Sequence, residues 1–294
     1  GSYDLALAKI GSGTLTLSGA NTYSGDTTVN AGTLALGAAS VGSVGSITSS
    51  AIGTGDLVLN GGALSSNGAT ARTILNPVTF GGDATLGDTT NNGDLTFSAS
   101  GALADDVTLT ILSDVDYAGS IGGGYDFTKA GAGTLTLSGA NTYSGDTTID
   151  AGVLKLGVFG AIPHGSGYGS MTIASGATFD LAGYGVWLNG LNGSGTVDNV
   201  SAANVSLTVA AETGLASVFS GVIQNSSTGK LSLSKLYTGT LTLSGANTYS
   251  GDTTIAATGT LVLGATEVLP NGSGKGNVIV NSGGTLDLGG FNET

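Results

Sequence analysis

The sequence predicts an all-β protein, a right-handed parallel β-helix of roughly a dozen coils with almost no helix. Two observations lead to this fold class. Sixteen residues, GTLTLSGANTYSGDTT, occur three times without a change, at 13–28, 133–148 and 239–254. Between turn residues, apolar and hydroxyl side chains alternate in short stretches. Internal copies of this length indicate a repeat architecture, and the period of two indicates strands that are apolar on one face only.

The strands follow from this alternation. In residues 14–18 the leucines face one side and the hydroxyl residues face the other. The same pattern recurs at 33–36, 56–59, 94–97, 107–110, 178–181 and 285–288. No stretch of ten residues has helical spacing, so we expect a helix content near zero.

Differences between the copies distinguish the two faces of the strands. The repeat units span 13–37, 133–157 and 239–264, and the first two differ at only four of 25 positions. Val29 becomes Ile149, a swap of similar volume that predicts an inward position. Ala35 becomes Lys155, which predicts an outward position. The third unit inserts Thr258, so we expect a corner there that bulges outward.

Strands this short cannot bury an apolar face alone, but stacked coils of one chain can. A β-sandwich or propeller is the alternative, and it predicts Asn-Gly or Asp-Gly hairpin turns. Here the order Gly-Asp dominates, as in Gly25-Asp26. We therefore predict one continuous β-helix over 3–294. We interpret Gly1-Ser2 as a cloning scar, and the chain as an excised fragment because Thr294 falls within a pattern.

Composition excludes several functional classes. The chain has 20 acidic and 7 basic residues and a net charge of −13, which argues against binding to nucleic-acid phosphates. It has no cysteine, so it has neither a disulfide framework nor a Cys metal site. No apolar run approaches the ~20 residues of a membrane helix, and we expect a chain that is not inserted in a membrane.

Candidate catalytic residues are few. The only histidine, His164, corresponds to Asn271 in the third unit, which indicates a tolerant loop position. Paired carboxylates could serve a glycosidase or lyase, and the best clusters are Asp105-Asp106 and the pair Asp114 and Asp116. Such lyases also need basic residues, and Arg72 is the only arginine. Solvated turn acids explain these clusters better. We predict no enzyme activity and no catalytic, cofactor-binding or metal-binding residues.

Other residues recur with the repeat. Lys9, Lys129 and Lys235 each lie four residues before the repeated glycine. We interpret them as edge lysines that deter sideways strand pairing, with a periodic charge for a partner as the alternative. The repeated tyrosines are predicted to pack at corners with solvated hydroxyls; they are Tyr23, Tyr143 and Tyr249. The single tryptophan, Trp187, is predicted to lie in a coil interior.

The repeated residues G-T-L-T-L-S-G-A-N-T-Y-S-G-D-T-T, followed by A-G-x-L-x-L-G, closely resemble the autotransporter-associated β-strand repeat, also called the passenger-associated transport repeat. The G-x-T-[LF]-D-L-x-G-[FY] stretches at 176–184 and 283–291 also resemble this family. The resemblance implies a β-helical passenger of a type V secreted protein. It implies as partner a separate C-terminal translocator barrel of the same full-length protein, which carries the passenger across a bacterial outer membrane.

On these grounds we expect a structural stalk segment of a surface-exposed or secreted passenger, whose repeats support progressive folding during export. The alternative is an adhesin-type binding module whose flank recognises a cell-surface glycan or another copy of itself. Loops that protrude from 38–75 and 97–128 would favour that alternative. A polysaccharide-acting β-helix enzyme is the third possibility. No cofactor is expected.

Overall fold

A computed structural model describes residues 4–212 and 214–293. The described residues form a parallel β-solenoid of about 13 turns in which every element is a strand and none is a helix. Two compact units divide the chain, residues 1–145 and 146–294. Gly1-Ser2 and Thr294, on which the scar and fragment interpretations depend, lie outside the described residues.

In the first unit the described residues, 4–145, form eighteen strands. They are β1 Leu7–Lys9, β2 Thr14–Leu17, β3 Thr27–Val29, β4 Thr33–Leu36, β5 Val41–Ser43, β6 Ser46–Ser49, β7 Leu57–Leu59, β8 Ala63–Ser66, β9 Arg72–Ile74, β10 Val78–Phe80, β11 Ala84–Leu86, β12 Leu95–Phe97, β13 Gly101–Leu103, β14 Val107–Ile111, β15 Val115–Tyr117, β16 Ile121–Gly122, β17 Phe127–Ala130 and β18 Thr134–Leu137.

Three parallel sheets form the walls of the first unit. Within it the strand orders are β1-β3-β7-β10-β13-β16, β2-β4-β8-β11-β14-β17 and β9-β12-β15-β18. Successive turns of the chain supply neighbouring strands: Leu7 pairs with Thr27 in the first sheet, and Thr27 then pairs with Leu57. Parallel pairing of this kind, at offsets of 20 and 30 residues, is the geometry of a β-helix and excludes the sandwich and propeller alternatives.

In the second unit sixteen strands lie within the described ranges 146–212 and 214–293. They are β19 Thr147–Ile149, β20 Val153–Leu156, β21 Met171–Ile173, β22 Thr178–Asp180, β23 Val186–Leu188, β24 Leu191–Gly193, β25 Thr196–Asp198, β26 Val205–Val209, β27 Ala216–Phe219, β28 Val222–Gln224, β29 Leu231–Lys235, β30 Thr240–Leu243, β31 Thr253–Ile255, β32 Thr260–Leu263, β33 Val278–Val280 and β34 Thr285–Asp287.

The second unit also has three parallel walls. Its strand orders are β19-β21-β24-β27-β30-β32-β34, β20-β22-β25-β28 and β23-β26-β29-β31-β33. The third repeat supplies neighbouring strands of the first of these walls, because Thr240 pairs with Thr260 and Leu243 pairs with Leu263. A repeat unit therefore occupies about one full turn and the start of the next.

The predicted faces of the strands agree with the structure. Val29 and Ile149 are both fully buried, at 0% exposure, so this position points inward as the substitution indicates. Lys155 is half-exposed between the buried Leu154 and Leu156, so it points outward. The interior consists mainly of such leucine, valine, isoleucine and phenylalanine side chains.

The inserted Thr258 lies at an exposed corner, as predicted, and has a φ of 72°. In the first two copies a glycine takes this conformation, Gly32 and Gly152, both with φ of 67°. A β-branched residue is strained in the left-handed region. In the third copy Thr258 follows the end of its strand by three residues, as Gly32 and Gly152 do, and it makes the same turn at a conformational cost.

An antiparallel hairpin, β5–β6, interrupts the first unit. Val41 and Val44 are more than half exposed, at 55% and 52%, so part of the variable region 38–75 protrudes. The region 97–128 does not, because it forms successive wall strands from β12 to β17. The expectation of a protruding loop is therefore met only by the hairpin.

Candidate functional site

Each repeat brings a lysine into the interior of its turn. Lys129 is 0% exposed, and its Nζ donates to the carbonyl oxygens of Gly131 and Gly133, both at 2.6 Å. Lys9 donates to Gly11 O at 2.7 Å and to Ala31 O at 2.9 Å. The carbonyls of Gly11, Gly131 and Gly133 belong to the tight turn that leads into the repeated strand, whereas Ala31 lies just before the next strand, β4. The ammonium group thus satisfies acceptors that the strand ladder leaves free.

The third lysine repeats the arrangement. Lys235 is 1% exposed, and its Nζ donates to Leu236 O and to Tyr237 O. Burial lowers the pKa of Lys129 and of Lys235 to about 8. The interpretation of these residues as exposed edge lysines was wrong. The strand alternation carried the missed signal, because Lys129 has the same parity as the buried Phe127.

The repeated asparagine joins successive turns. Asn247 is 6% exposed; its Oδ1 accepts from Ile223 N at 2.8 Å and its Nδ2 donates to Val268 O at 2.9 Å. One side chain therefore bonds to the turn before it and to the turn after it. Asn141 likewise accepts from Ile121 N at 2.7 Å. Buried amide groups need such partners, and here the partners fix the stacking of the turns.

The aspartate of the repeated Ser-Gly-Asp also bonds to the next turn. Asp26 Oδ1 accepts from Asp56 N at 3.0 Å, and Asp252 Oδ1 accepts from Asn277 N at 2.8 Å. The pKa of Asp56 is raised, first by burial and then by the charge of Asp26. In the first and third copies of the repeat, this carboxylate therefore accepts a hydrogen bond from a corner amide of the following turn.

The repeated tyrosine packs at a corner, as predicted, but its hydroxyl is not solvated in the third copy. Tyr249 is 0% exposed, and its Oη lies 2.6 Å from Thr253 Oγ1. Burial raises the pKa of Tyr249 to about 12. Tyr23 makes the same contact with Thr27 at 2.7 Å. Lysine, asparagine, aspartate and tyrosine together form what we call the repeat clamp.

The acidic candidates are not brought together. Asp105 and Asp106 precede β14, whereas Asp114 and Asp116 follow it, so a strand of roughly 16 Å separates the two pairs. Asp114 Oδ1 accepts from Thr134 N at 3.2 Å, and Asp116 Oδ1 accepts from Ser138 Oγ at 2.6 Å. These carboxylates serve the stacking of turns.

The single arginine has a structural role. Arg72 donates from Nε to Leu36 O at 3.0 Å and from Nη2 to Asn67 Oδ1 at 2.9 Å. Its guanidinium group is therefore committed to the previous turn and to its own loop. This arrangement does not provide the basic residue that a sugar-acid lyase needs.

An acidic pocket of about 350 Å³ lies on the first unit and includes Asp88, Asp94 and Asp114 in its lining. Asp88 Oδ1 accepts from Thr90 N at 2.7 Å, and this bond holds the pKa of Asp88 below its ordinary value. Among the described residues, no three acidic or imidazole side chains are grouped so that they could hold a metal ion.

Sequence reasoning missed a buried acidic row in the second unit. Asp180 and Asp198 pair in register and are only 5% and 6% exposed. The pKa of Asp180 is raised, and burial is the largest cause. Hydrogen bonds from Ala182 N and Val200 N partly offset this effect. Asp198 accepts from Gln224 Nε2 at 2.8 Å, so the row continues into the next turn. The side chains of this row form hydrogen bonds with each other and with backbone amides.

The structure does bring together two residues that the sequence treats separately. The ring centroids of His164 and Trp187 lie 5.6 Å apart, and those of Phe159 and His164 lie 6.1 Å apart. Trp187 is 37% exposed and Phe159 is 55% exposed. The prediction that Trp187 fills a coil interior was wrong, because it is the outward residue of β23 between two buried neighbours. We call these three residues the aromatic cluster.

Comparison with known proteins agrees with the repeated residues. The family model described as the passenger-associated-transport-repeat matches residues 7–36, 127–156 and 233–263, so each match includes one buried lysine. A curated relative, the adhesin BmaC autotransporter of Brucella suis biovar 1 (strain 1330), is 35% identical over 292 residues. The aligned region covers 95% of this chain and 7% of that relative.

No solved structure gives a significant match to the chain. In the part of the chain that the structure describes, no helix has the length and apolar character needed to cross a membrane.

Proposed function

We propose, from the premise that this chain is a repeat-bearing segment of an autotransporter passenger, that it is a structural stalk whose repeats are the places where folding starts during export. Its relative is named an autotransporter adhesin, and its family is named for passenger transport. Both names are consistent with a surface-exposed or secreted protein that is not an enzyme. The partner in export would be the translocator of the same full-length protein.

The observation that carries this proposal is the repeat clamp. Its asparagine joins three successive turns, since Asn247 bonds to Ile223 in one and to Val268 in another. A solenoid gains stability from contacts between neighbouring turns, so folding can start at one strongly joined set of turns and propagate. A chain that emerges progressively from a membrane could fold in this order, and folded turns would discourage its return.

A matched pair of variants tests the folding role. Asn199 lies outside the repeats, is 0% exposed and also joins three turns: it accepts from Gly183 N at 3.1 Å, and its Nδ2 contacts Ala203 O at 2.9 Å and Gly229 O at 3.3 Å. Asn247→Ala and Asn199→Ala should each reduce stability by about 1–3 kcal/mol. Folding and unfolding rates are then measured by denaturant jumps on the purified chain.

If the third repeat starts folding, Asn247→Ala slows folding and leaves unfolding nearly unchanged. Asn199→Ala should mainly accelerate unfolding. The same substitutions in the full-length protein should delay surface display for Asn247→Ala more than for Asn199→Ala. An equal or larger slowing of folding by Asn199→Ala would contradict the proposal.

A second candidate function is binding on the flank of the solenoid. The exposed aromatic cluster favours it, because rings of this size are normally buried when they serve packing alone. The relative is named an adhesin, which is consistent with this function. The acidic residues considered for an enzyme are hydrogen-bonded at separate corners, and they do not favour the third candidate.

A further inference from the structure

The aromatic cluster lies where a long loop meets the outer face of a wall. Phe159 and His164 belong to the loop 157–170 between β20 and β21, and Trp187 belongs to β23. His164 is half-buried between the other two rings, of which Phe159 is 55% exposed and Trp187 is 37% exposed. The three rings thus form a continuous exposed aromatic surface, with one member on a strand.

A buried amide fixes the loop relative to the strand. Asn189, two residues after Trp187, is 4% exposed. Its Oδ1 accepts from Gly165 N at 2.9 Å, and its Nδ2 donates to Gly165 O at 2.8 Å and to Tyr168 O at 2.6 Å. Ile162, just before His164, is 3% exposed and anchors the other side of the loop. The part of the loop that carries His164 is therefore held against the strand that carries Trp187 before any ligand arrives, which reduces the entropy cost of binding.

A row of hydroxyl residues begins at the tryptophan. Trp187 pairs in register with Thr208, Thr208 with Ser234, and Ser234 with Thr254. Thr208 is buried, whereas Ser234 and Thr254 are half-exposed on the outer face. Strands in a sheet lie ~4.8 Å apart, so the row extends about 14 Å from the aromatic ring. Ser206 and Ser232 form a second, parallel row on the same face.

We propose that the aromatic cluster and this hydroxyl row form a binding site for a linear, neutral glycan. A pyranose ring presents C–H groups on a face and hydroxyls around its edge. The C–H groups can pack on the electron-rich face of an aromatic ring, and the hydroxyls can bond to serine and threonine. The inference rests on the second candidate function, flank binding, and names its ligand class.

The surrounding chemistry favours a neutral glycan over other occupants. The net charge of −13 opposes an acidic polysaccharide. A protein partner or a second copy needs a larger apolar core at its interface, whereas the row that leads away from Trp187 presents the half-exposed hydroxyls of Ser234 and Thr254 beyond the buried Thr208. An extended ligand that is apolar on its faces and polar on its edges fits this surface.

The test uses the full chain and its single tryptophan as the reporter. Trp187 emission is followed during titration with hexasaccharides of β-1,4-glucose, β-1,4-mannose, β-1,4-N-acetylglucosamine and α-1,4-glucose. At least one of them should give a saturable change in emission. Phe159→Ala and His164→Ala should each weaken that binding about tenfold. Tyr184→Ala is the matched control, because Tyr184 is 39% exposed and lies outside the cluster, and it should bind as the unsubstituted chain does.

Circular dichroism and thermal unfolding of each variant establish that weaker binding is not loss of fold. No emission change with any of the four sugars at millimolar concentration would overturn the proposal. So would a change that survives Phe159→Ala and His164→Ala, or a concentration-dependent dimer that Phe159→Ala abolishes. Binding to immobilised sugars with Trp187 emission unaltered would leave flank binding standing and overturn this site. Refolding rates report the folding role separately.

Discussion

The first and third copies of the repeat have the same sixteen residues but different surroundings. In the third copy Leu243 is 0% exposed and Tyr249 is 0% exposed. In the first copy Leu17 and Tyr23 are only half-buried. The hydrogen bond from tyrosine to threonine is nearly the same length in both, 2.6 Å and 2.7 Å. Identical residues therefore make identical local contacts with different burial.

The neighbouring turns account for this difference. In the second unit β30 pairs with β27 on one side and with β32 on the other. In the first unit, β2 lies at the edge of its sheet and pairs with β4 alone among the described strands. A turn that is covered on both sides loses all solvent contact from its inward residues. The stability that a clamp contributes thus depends on turns outside the repeat.

The largest expected contrast lies in the paired leucines. Leu243→Ala should lower the free energy of unfolding by about 2–5 kcal/mol, because it leaves a cavity in a closed interior. Leu17→Ala should cost about 1 kcal/mol, since that side chain already contacts solvent. Urea unfolding of the two variants measures both losses. Equal losses would mean that coverage by neighbouring turns does not set the energetic value of the repeat.

A second contrast uses pH. The folded pKa of Lys235 is about 8 and its ordinary value is 10.5, so between these values the unfolded chain binds a proton that the folded chain has released. Stability therefore rises with pH through this window, and the penalty of burying the ammonium is fully present below pH 8. As pH rises through this window, the free energy of unfolding of the unsubstituted chain should increase by on the order of 2 kcal/mol relative to that of Lys235→Met.

Urea unfolding at a series of pH values measures this gain. Lys230→Met serves as the control for replacing a lysine, because Lys230 is exposed. A stability difference between the chain and Lys235→Met that stays flat, or that falls as pH rises, would contradict the assignment of Lys235 as a buried ammonium.

The smallest contrast concerns the tyrosine hydroxyls. Tyr249→Phe should lower the free energy of unfolding by about 1 kcal/mol, because it removes the hydroxyl that lies 2.6 Å from the buried Thr253 hydroxyl. Tyr23→Phe should cost less, since Thr27 keeps its bond to Ile52 O at 2.9 Å. Thermal unfolding detects both changes.

Tyr117→Phe is the control, because removal of this hydroxyl should not lower the free energy of unfolding. The hydroxyl of Tyr117 is buried without a hydrogen-bond partner, so its removal should leave stability unchanged or increase it. A loss on Tyr117→Phe as large as that of Tyr249→Phe would show that ring packing, rather than the hydroxyl, governs these positions.

Much of the fold could be predicted because its information is local. The alternation at 14–18 and the swap of Val29 for Ile149 identify strands and their inward faces within a few residues. The same alternation also placed Lys129 inward, but the expectation that lysines are exposed overrode it. Burial of a lysine is acceptable here because the carbonyls of Gly131 and Gly133 accept from its ammonium group.

The aromatic cluster could not be predicted in the same way. His164 and Trp187 are 23 positions apart and lie in different elements, and they meet only because one turn stacks on the next. Trp187 lies in an apolar run, Val186-Trp187-Leu188, so its size suggested burial. Only the backbone direction of β23 determines that its neighbours point inward and that it points out.

The sequence by itself determined the β-helix and the inward faces of the repeated strands, because both depend on short-range periodicity and on exact internal copies. The tertiary structure decided how deeply each copy is buried, which carbonyls receive the lysines, and which distant rings share a surface. Burial and contacts between turns depend on the neighbouring turns above and below, and the residues of one turn do not determine which other residues pack on it.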